Sequence, residues 1–173
     1  MDNALQKPGT RAWMAVSFFA LVGLFSWLYI APDSRFLLPD TIFFIVLVTN
    51  TFFSVRFFAR IQPSGYVQLA IDGLLIVSYI ALALSMGRPL AFVFAGLCLF
   101  ILATAKYALM VGYIPHEHVL HRKILIDLAG VAMCVAVLGG VLADWPLTSA
   151  WALAILFALA NVYLLLIRPM YRL

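Results

Sequence analysis

Six apolar runs, each close to the length of a bilayer-crossing helix and separated by only a few polar positions, leave this chain little choice of fold. They cover roughly Ala12–Ile30, Thr41–Ala59, Tyr66–Met86, Leu90–Tyr113, Ile124–Leu142 and Leu147–Ile167. The hydrocarbon layer is about 30 Å thick, so a helix rising about 1.5 Å per residue needs about 20 apolar residues to cross it. The 173-residue chain is 66% hydrophobic and 10% charged, which leaves too little polar surface to clothe a soluble core. The expectation is an all-α integral membrane protein: one polytopic domain over residues 1–173, a bundle of six transmembrane helices in three consecutive hairpins. The connections are short, so neighbouring helices run antiparallel, and no soluble catalytic or nucleic-acid-binding domain fits between them. The first run is too long for a signal-peptide core, and LYIAPDS after it lacks a small-x-small cleavage pattern.

A net charge of +4 reads as topology rather than as a nucleic-acid footprint. Lys7, Arg11, Arg56, Arg60, Arg122, Lys123, Arg168 and Arg172 gather at one set of helix ends, against Arg35 and Arg88 beside Asp33, Asp40 and Asp144 at the other. The positive-inside rule therefore puts both termini in the cytoplasm. Trp13, Trp27, Tyr29, Tyr66, Tyr113, Trp145 and Tyr171 fall near predicted helix ends, where amphipathic rings anchor at the interface. With no organelle-targeting signal, the chain is expected in a bacterial inner membrane.

Related phrases recur along the chain. Arg60-Ile61-Gln62-Pro63, Gly112-Tyr113-Ile114-Pro115 and Leu166-Ile167-Arg168-Pro169 end the even-numbered helices, and Ile71-Asp72 and Ile126-Asp127 begin helices 3 and 5. Hairpin repeats over 12–63, 66–115 and 121–169 are one reading; chance alignment of apolar helices is the other. Ala132, Ala136 and Gly140 on helix 5, and Ala150, Ala154 and Ala158 on helix 6, form small-residue stripes. Such stripes let membrane helices approach closely, either these two against each other or a second copy of the chain. Cys98 and Cys134 fall inside apolar runs without a CxxC spacing and read as small hydrophobes.

Ionisable residues in hydrocarbon are costly and point to function or to a partner charge. Lys106 interrupts FAGLCLFILATAKYALMVGY, and Asp72 and Asp127 interrupt two further runs. Each acid lies about two turns, roughly 9 Å, from the basic end of its helix. Asn50, Asn161 and Lys106 fall in the same layer. A polar cavity opening to the cytoplasm would collect them, with Lys106 between the acids, Gln68 and Tyr79 on the Asp72 face of helix 3, and Arg56 leading inward on helix 2. The bland alternative is static pairing, with Lys106 neutralising one acid and Lys123 holding Asp127 one turn on.

His116, His118 and His121, with Glu117, follow Pro115. Three imidazoles can ligate zinc, but the spacing matches no specific metal motif, and a merely wet or titrating loop explains them as well. No cofactor is implied, and no GxSxG elbow, HExxH site or P-loop suggests an enzyme. The stretch FFSVRFFARIQPSGYVQLAIDGLLIV resembles the second-to-third helix region of voltage-sensor domains. The next helix carries Lys106 in place of a ladder of arginines, so no gating mechanism follows. The expectation is a small transporter or channel-like protein moving protons, cations or a small polar solute. The alternative is a non-transporting sensor or scaffold that binds partner helices. Its surroundings in either case are the lipid bilayer and, in an assembly, a second copy or another membrane protein.

Overall fold

A computed structural model describes residues 8–29, 35–62, 65–114 and 118–171. These residues form six helices: α1 (Pro8–Tyr29), α2 (Leu37–Phe58), α3 (Tyr66–Leu84), α4 (Pro89–Tyr113), α5 (His118–Leu142) and α6 (Pro146–Val162), the last ending in a π-turn, Tyr163–Ile167. Each of the six spans, with Pro146–Ile167 counted as one, is long and apolar enough to cross a membrane. Large apolar side chains such as Leu21, Phe25, Leu69, Ile101 and Leu128 face outward, as lipid contact requires. The chain is a multi-pass α-helical membrane protein.

Several helices begin earlier than the apolar runs do. α2 starts at Leu37 and takes in Asp40, and α5 starts at His118 and takes in Arg122 and Lys123. Hydropathy marks what sits in hydrocarbon, whereas hydrogen bonding carries a helix on into polar residues. α4 and α6 each open on proline at the first helical position, where the missing N–H costs nothing. Two residues before each proline stands a left-handed residue, Gly87 (φ 81°) and Asp144 (φ 64°). The α3–α4 and α5–α6 hairpins thus share one left-handed residue at the same distance before the proline.

The helices close into a ring. α1 lies between α2 and α3, α4 between α3 and α5, and α6 between α5 and α2, giving the cyclic order 1-2-6-5-4-3. Every chain connection joins ring neighbours except α2–α3. One half of the ring is filled by aromatic side chains: Phe43 packs against Phe157 (4.5 Å between centroids), Phe92 (5.6 Å) and Phe100 (6.4 Å). Gly130 lets α5 approach Phe100, whose ring lies 2.7 Å from where a Cβ would stand. At that same end the Ser26 hydroxyl donates to the Ala83 carbonyl, and buried Asp40 accepts the Gly87 N–H at 2.9 Å.

The small-residue stripes divide. Ala150 and Ala154 are buried and Ala158 half-buried, so the α6 stripe faces the ring interior. Ala132 and Ala136 are exposed on the outside of α5, and only Gly140 meets α6, at Ser149. The expected tight packing of one stripe on the other is therefore corrected: α5 uses Gly130, Cys134 and Val137 for its inner face, one-third of a turn away.

Candidate functional site

The ring half opposite the aromatic layer encloses a cavity of about 290 Å³. Its walls come from α1 to α5, and it holds most of the interrupting charges. Asp72 and Lys106 face each other across α3 and α4 at 2.8 Å. Asp127 is held by Lys123, one turn earlier on α5, through both a hydrogen bond and an ion pair. Lys106 therefore does not sit between two acids: each carboxylate has its own lysine. The longer α5 explains this, since it makes Lys123 helical and brings it over Asp127 at the i, i+4 spacing.

The two pairs share one partner. The Tyr107 ring lies beneath both ammonium groups, 5.9 Å from Lys106 Nζ and 5.2 Å from Lys123 Nζ, close enough for cation–π attraction. Tyr107 OH in turn shares a 2.7 Å hydrogen bond with Ser54 on α2. Thr51 and Tyr79 are also hydrogen-bonded, and Phe19 stacks on Tyr79 at 4.2 Å to close the floor. Gln62, on the strap between α2 and α3, donates to Asp72 Oδ2 at 2.7 Å.

The pairs differ in their access to solvent. Lys123 and Asp127 side chains are 7% and 1% exposed, and Asp127 Oδ2 has no hydrogen-bond partner among the described residues. Lys106 and Asp72 are 13% and 31% exposed. Asp72 also lines a second, more open hollow at the helix ends, together with Arg11, Gln62 and Gln68, so the cavity communicates with the surface there. A carboxylate reached from outside can trade its lysine for a proton, a cation or a donor on a solute. A dry pair cannot do so without desolvating an uncompensated charge.

Of the residues expected at this site, Asp72, Lys106, Asp127 and Asn50 line the cavity, and Gln68 lines the outer hollow. Arg56 lines neither: α2 turns Asn50, Thr51, Ser54 and Phe58 inward instead, one residue around the helix. Asn161 is buried apart from both, donating back to the Phe157 carbonyl at 2.9 Å. His118 and His121 are exposed, and His116 lies outside the described residues. Among the described residues no cluster of metal-ligating side chains occurs. Tyr107, Ser54, Thr51 and Gln62 were not singled out as site residues from sequence, because uncharged tyrosine, hydroxyl and amide side chains do not stand out in an apolar run as ionisable ones do.

Fold and site together define a polytopic α-helical membrane protein with an ion-paired internal cavity. The chain matches no family model, no curated protein and no solved structure.

Proposed function

We propose that the protein is a small-solute or ion transporter of a bacterial inner membrane, both termini cytoplasmic, with the cavity open toward the cytoplasm. The observation that carries this reading is the Asp72–Lys106 pair, set in the wall of a cavity that adjoins the open hollow at one set of helix ends. On the far side the Phe43, Phe92, Phe100 and Phe157 layer fills the ring, which favours alternating access over a continuous pore. In this scheme Asp72 releases Lys106 when a proton, cation or polar solute arrives, and Lys123–Asp127 stays closed and fixes α5. The pair that exchanges is the wet one, because hydration lowers the cost of parting its charges.

The test is flux or current in proteoliposomes after a pH or cation jump. Asp72→Asn should abolish the response with helicity and elution profile unchanged. An unaltered response in Asp72→Asn removes the pair from the mechanism, and no response in well-folded wild type removes transport.

A second reading, a non-transporting subunit, is favoured by the outer face of α5. Ala132 and Ala136 stand exposed in line with Ala129 and Gly139, a surface on which a partner helix packs closely. Ala136→Leu should then shift the assembly state without altering the thermal stability of the isolated chain.

A further inference from the structure

Asp72 and Lys106 already satisfy each other, and that narrows what the cavity can admit. They meet at 2.8 Å, both line the cavity, and neither is fully buried. A lone cation or proton that takes Asp72 leaves the Lys106 ammonium unpaired among apolar side chains. A lone anion that takes Lys106 strands Asp72 in the same way. Removing one member of a poorly solvated pair is far costlier than replacing both. A solute carrying one ammonium and one carboxylate replaces both partners at once and strands neither. Gln62, which also holds Asp72, is neutral and leaves no charge behind when it moves aside. The second pair does not compete for the solute, because Lys123 and Asp127 are buried against each other on one helix. Arg11, the other charged residue in the wall, makes an interaction of its own.

The remaining wall sets the body of the solute. Phe19, Phe58 and Phe100 line it with rings, and Leu47, Leu75 and Leu99 with aliphatic side chains. Such a surface gains by covering apolar groups and by stacking on rings. Thr51 and Ser54 are already hydrogen-bonded to Tyr79 and Tyr107, so a hydroxyl-rich solute such as a sugar finds few groups to replace its water. The cavity's volume, about 290 Å³, is that of about ten waters in the liquid, so the solute has on the order of ten non-hydrogen atoms.

We propose that the cavity takes a zwitterion of amino-acid size with an apolar body, its ammonium on Asp72 and its carboxylate on Lys106. This rests on reading the cavity as the site of a transported solute, and it names the class of that solute. Peptides are too large for the space, and singly charged solutes of the same shape bind less well.

The test is binding rather than flux. Purified full-length protein in detergent is titrated with tritiated L-phenylalanine and read by scintillation proximity, with empty micelles as the blank. Phenethylamine and 3-phenylpropionate carry the same ring with one charge each, and each should compete at least about tenfold more weakly than L-phenylalanine. L-serine, which keeps both charges without the ring, should also compete at least about tenfold more weakly. Asp72→Asn and Lys106→Gln should each weaken L-phenylalanine binding about tenfold or more, and Arg88→Gln, at the opposite helix ends, should leave it unchanged. If a single variant misfolds, Asp72→Asn combined with Lys106→Gln strands no charge, and it should bind the amino acid, the amine and the acid alike. Competition by the amine, the acid or L-serine equal to that of L-phenylalanine overturns the proposal. So does the absence of saturable binding to folded protein, or a preference for the zwitterion that survives in the double variant. Flux after a pH or cation jump without L-phenylalanine binding overturns this inference and leaves transport standing. Selective binding without any flux upholds the site and removes transport.

Discussion

Lys123→Met would remove the ammonium from a pair whose side chains are 7% and 1% exposed. The Asp127 carboxylate would remain, with Oδ2 already lacking a hydrogen-bond partner among the described residues. Unit charges at about 4 Å and an effective dielectric near 20 attract by about 4 kcal/mol. That agrees with the ~3–5 kcal/mol usually lost when one member of a buried pair is deleted. The variant should therefore unfold about 3–5 kcal/mol more easily, with protonation of Asp127 setting the upper limit. Lys123→Met combined with Asp127→Leu removes both charges and should recover most of the loss. The assay is reversible unfolding in mixed micelles on raising the SDS mole fraction, followed by circular dichroism. A loss below about 1 kcal/mol for Lys123→Met, or a double variant no better than the single, would refute the assignment of this pair as a buried structural element. Lys106→Met is the internal comparison: its partner Asp72 is 31% exposed and held also by Gln62, so the cost should be nearer about 1 kcal/mol.

Gly130→Ala places a Cβ 2.7 Å from the Phe100 ring and should cost about 1–3 kcal/mol in the same assay, whereas Gly73→Ala, with open space around its Cβ, should gain about 0.5–1 kcal/mol. Asp40→Ala removes the carboxylate that accepts the Gly87 N–H and should cost about 1–3 kcal/mol, measured by thermal unfolding in detergent. Asp144→Gly relieves a left-handed non-glycine residue and should raise the melting temperature, whereas Asp144→Val should lower it, the penalty for a side chain there being about 1–2 kcal/mol.

The helices were legible in the sequence because a bilayer imposes one length and one polarity on each. The site was legible only as a layer of charges. Asp72, Lys106 and Asp127 stood out because hydrocarbon makes each of them expensive, but two pairings stayed open, Lys106 between both acids or Lys123 holding Asp127, and the second is the one found. Hydropathy began that helix at Ile124 and left Lys123 at its edge; the hydrogen-bonded helix reaches His118 and turns Lys123 over Asp127. Arg56 was misplaced for a related reason. A helix apolar on nearly every side has no strong preferred face, so a shift of one residue decided whether Arg56 or Ser54 met the interior. The α5 stripe left two neighbours open, α6 or a second copy of the chain, since small size permits close approach but does not name the neighbour; α6 meets it only at Gly140 among the described residues. Asp40 looked like a loop acid until α2 extended to include it. Gln62 could not be found from the pattern, because its role depends on how α3 packs back to bring Asp72 to it.

The cyclic order of the helices also sets a timetable for biosynthesis. α6 gives no side chain to the cavity, yet it alone joins α5 to α2 and closes the hoop. Until it inserts, the earlier helices form an open arc whose Phe43 and Phe100 faces lack Phe157. A ribosome stalled before Pro146 would thus release a product with all its paired charges in place and its aromatic seam bare to lipid. The last helix is the keystone of the arch, and cells that police unassembled membrane helices would see its absence first.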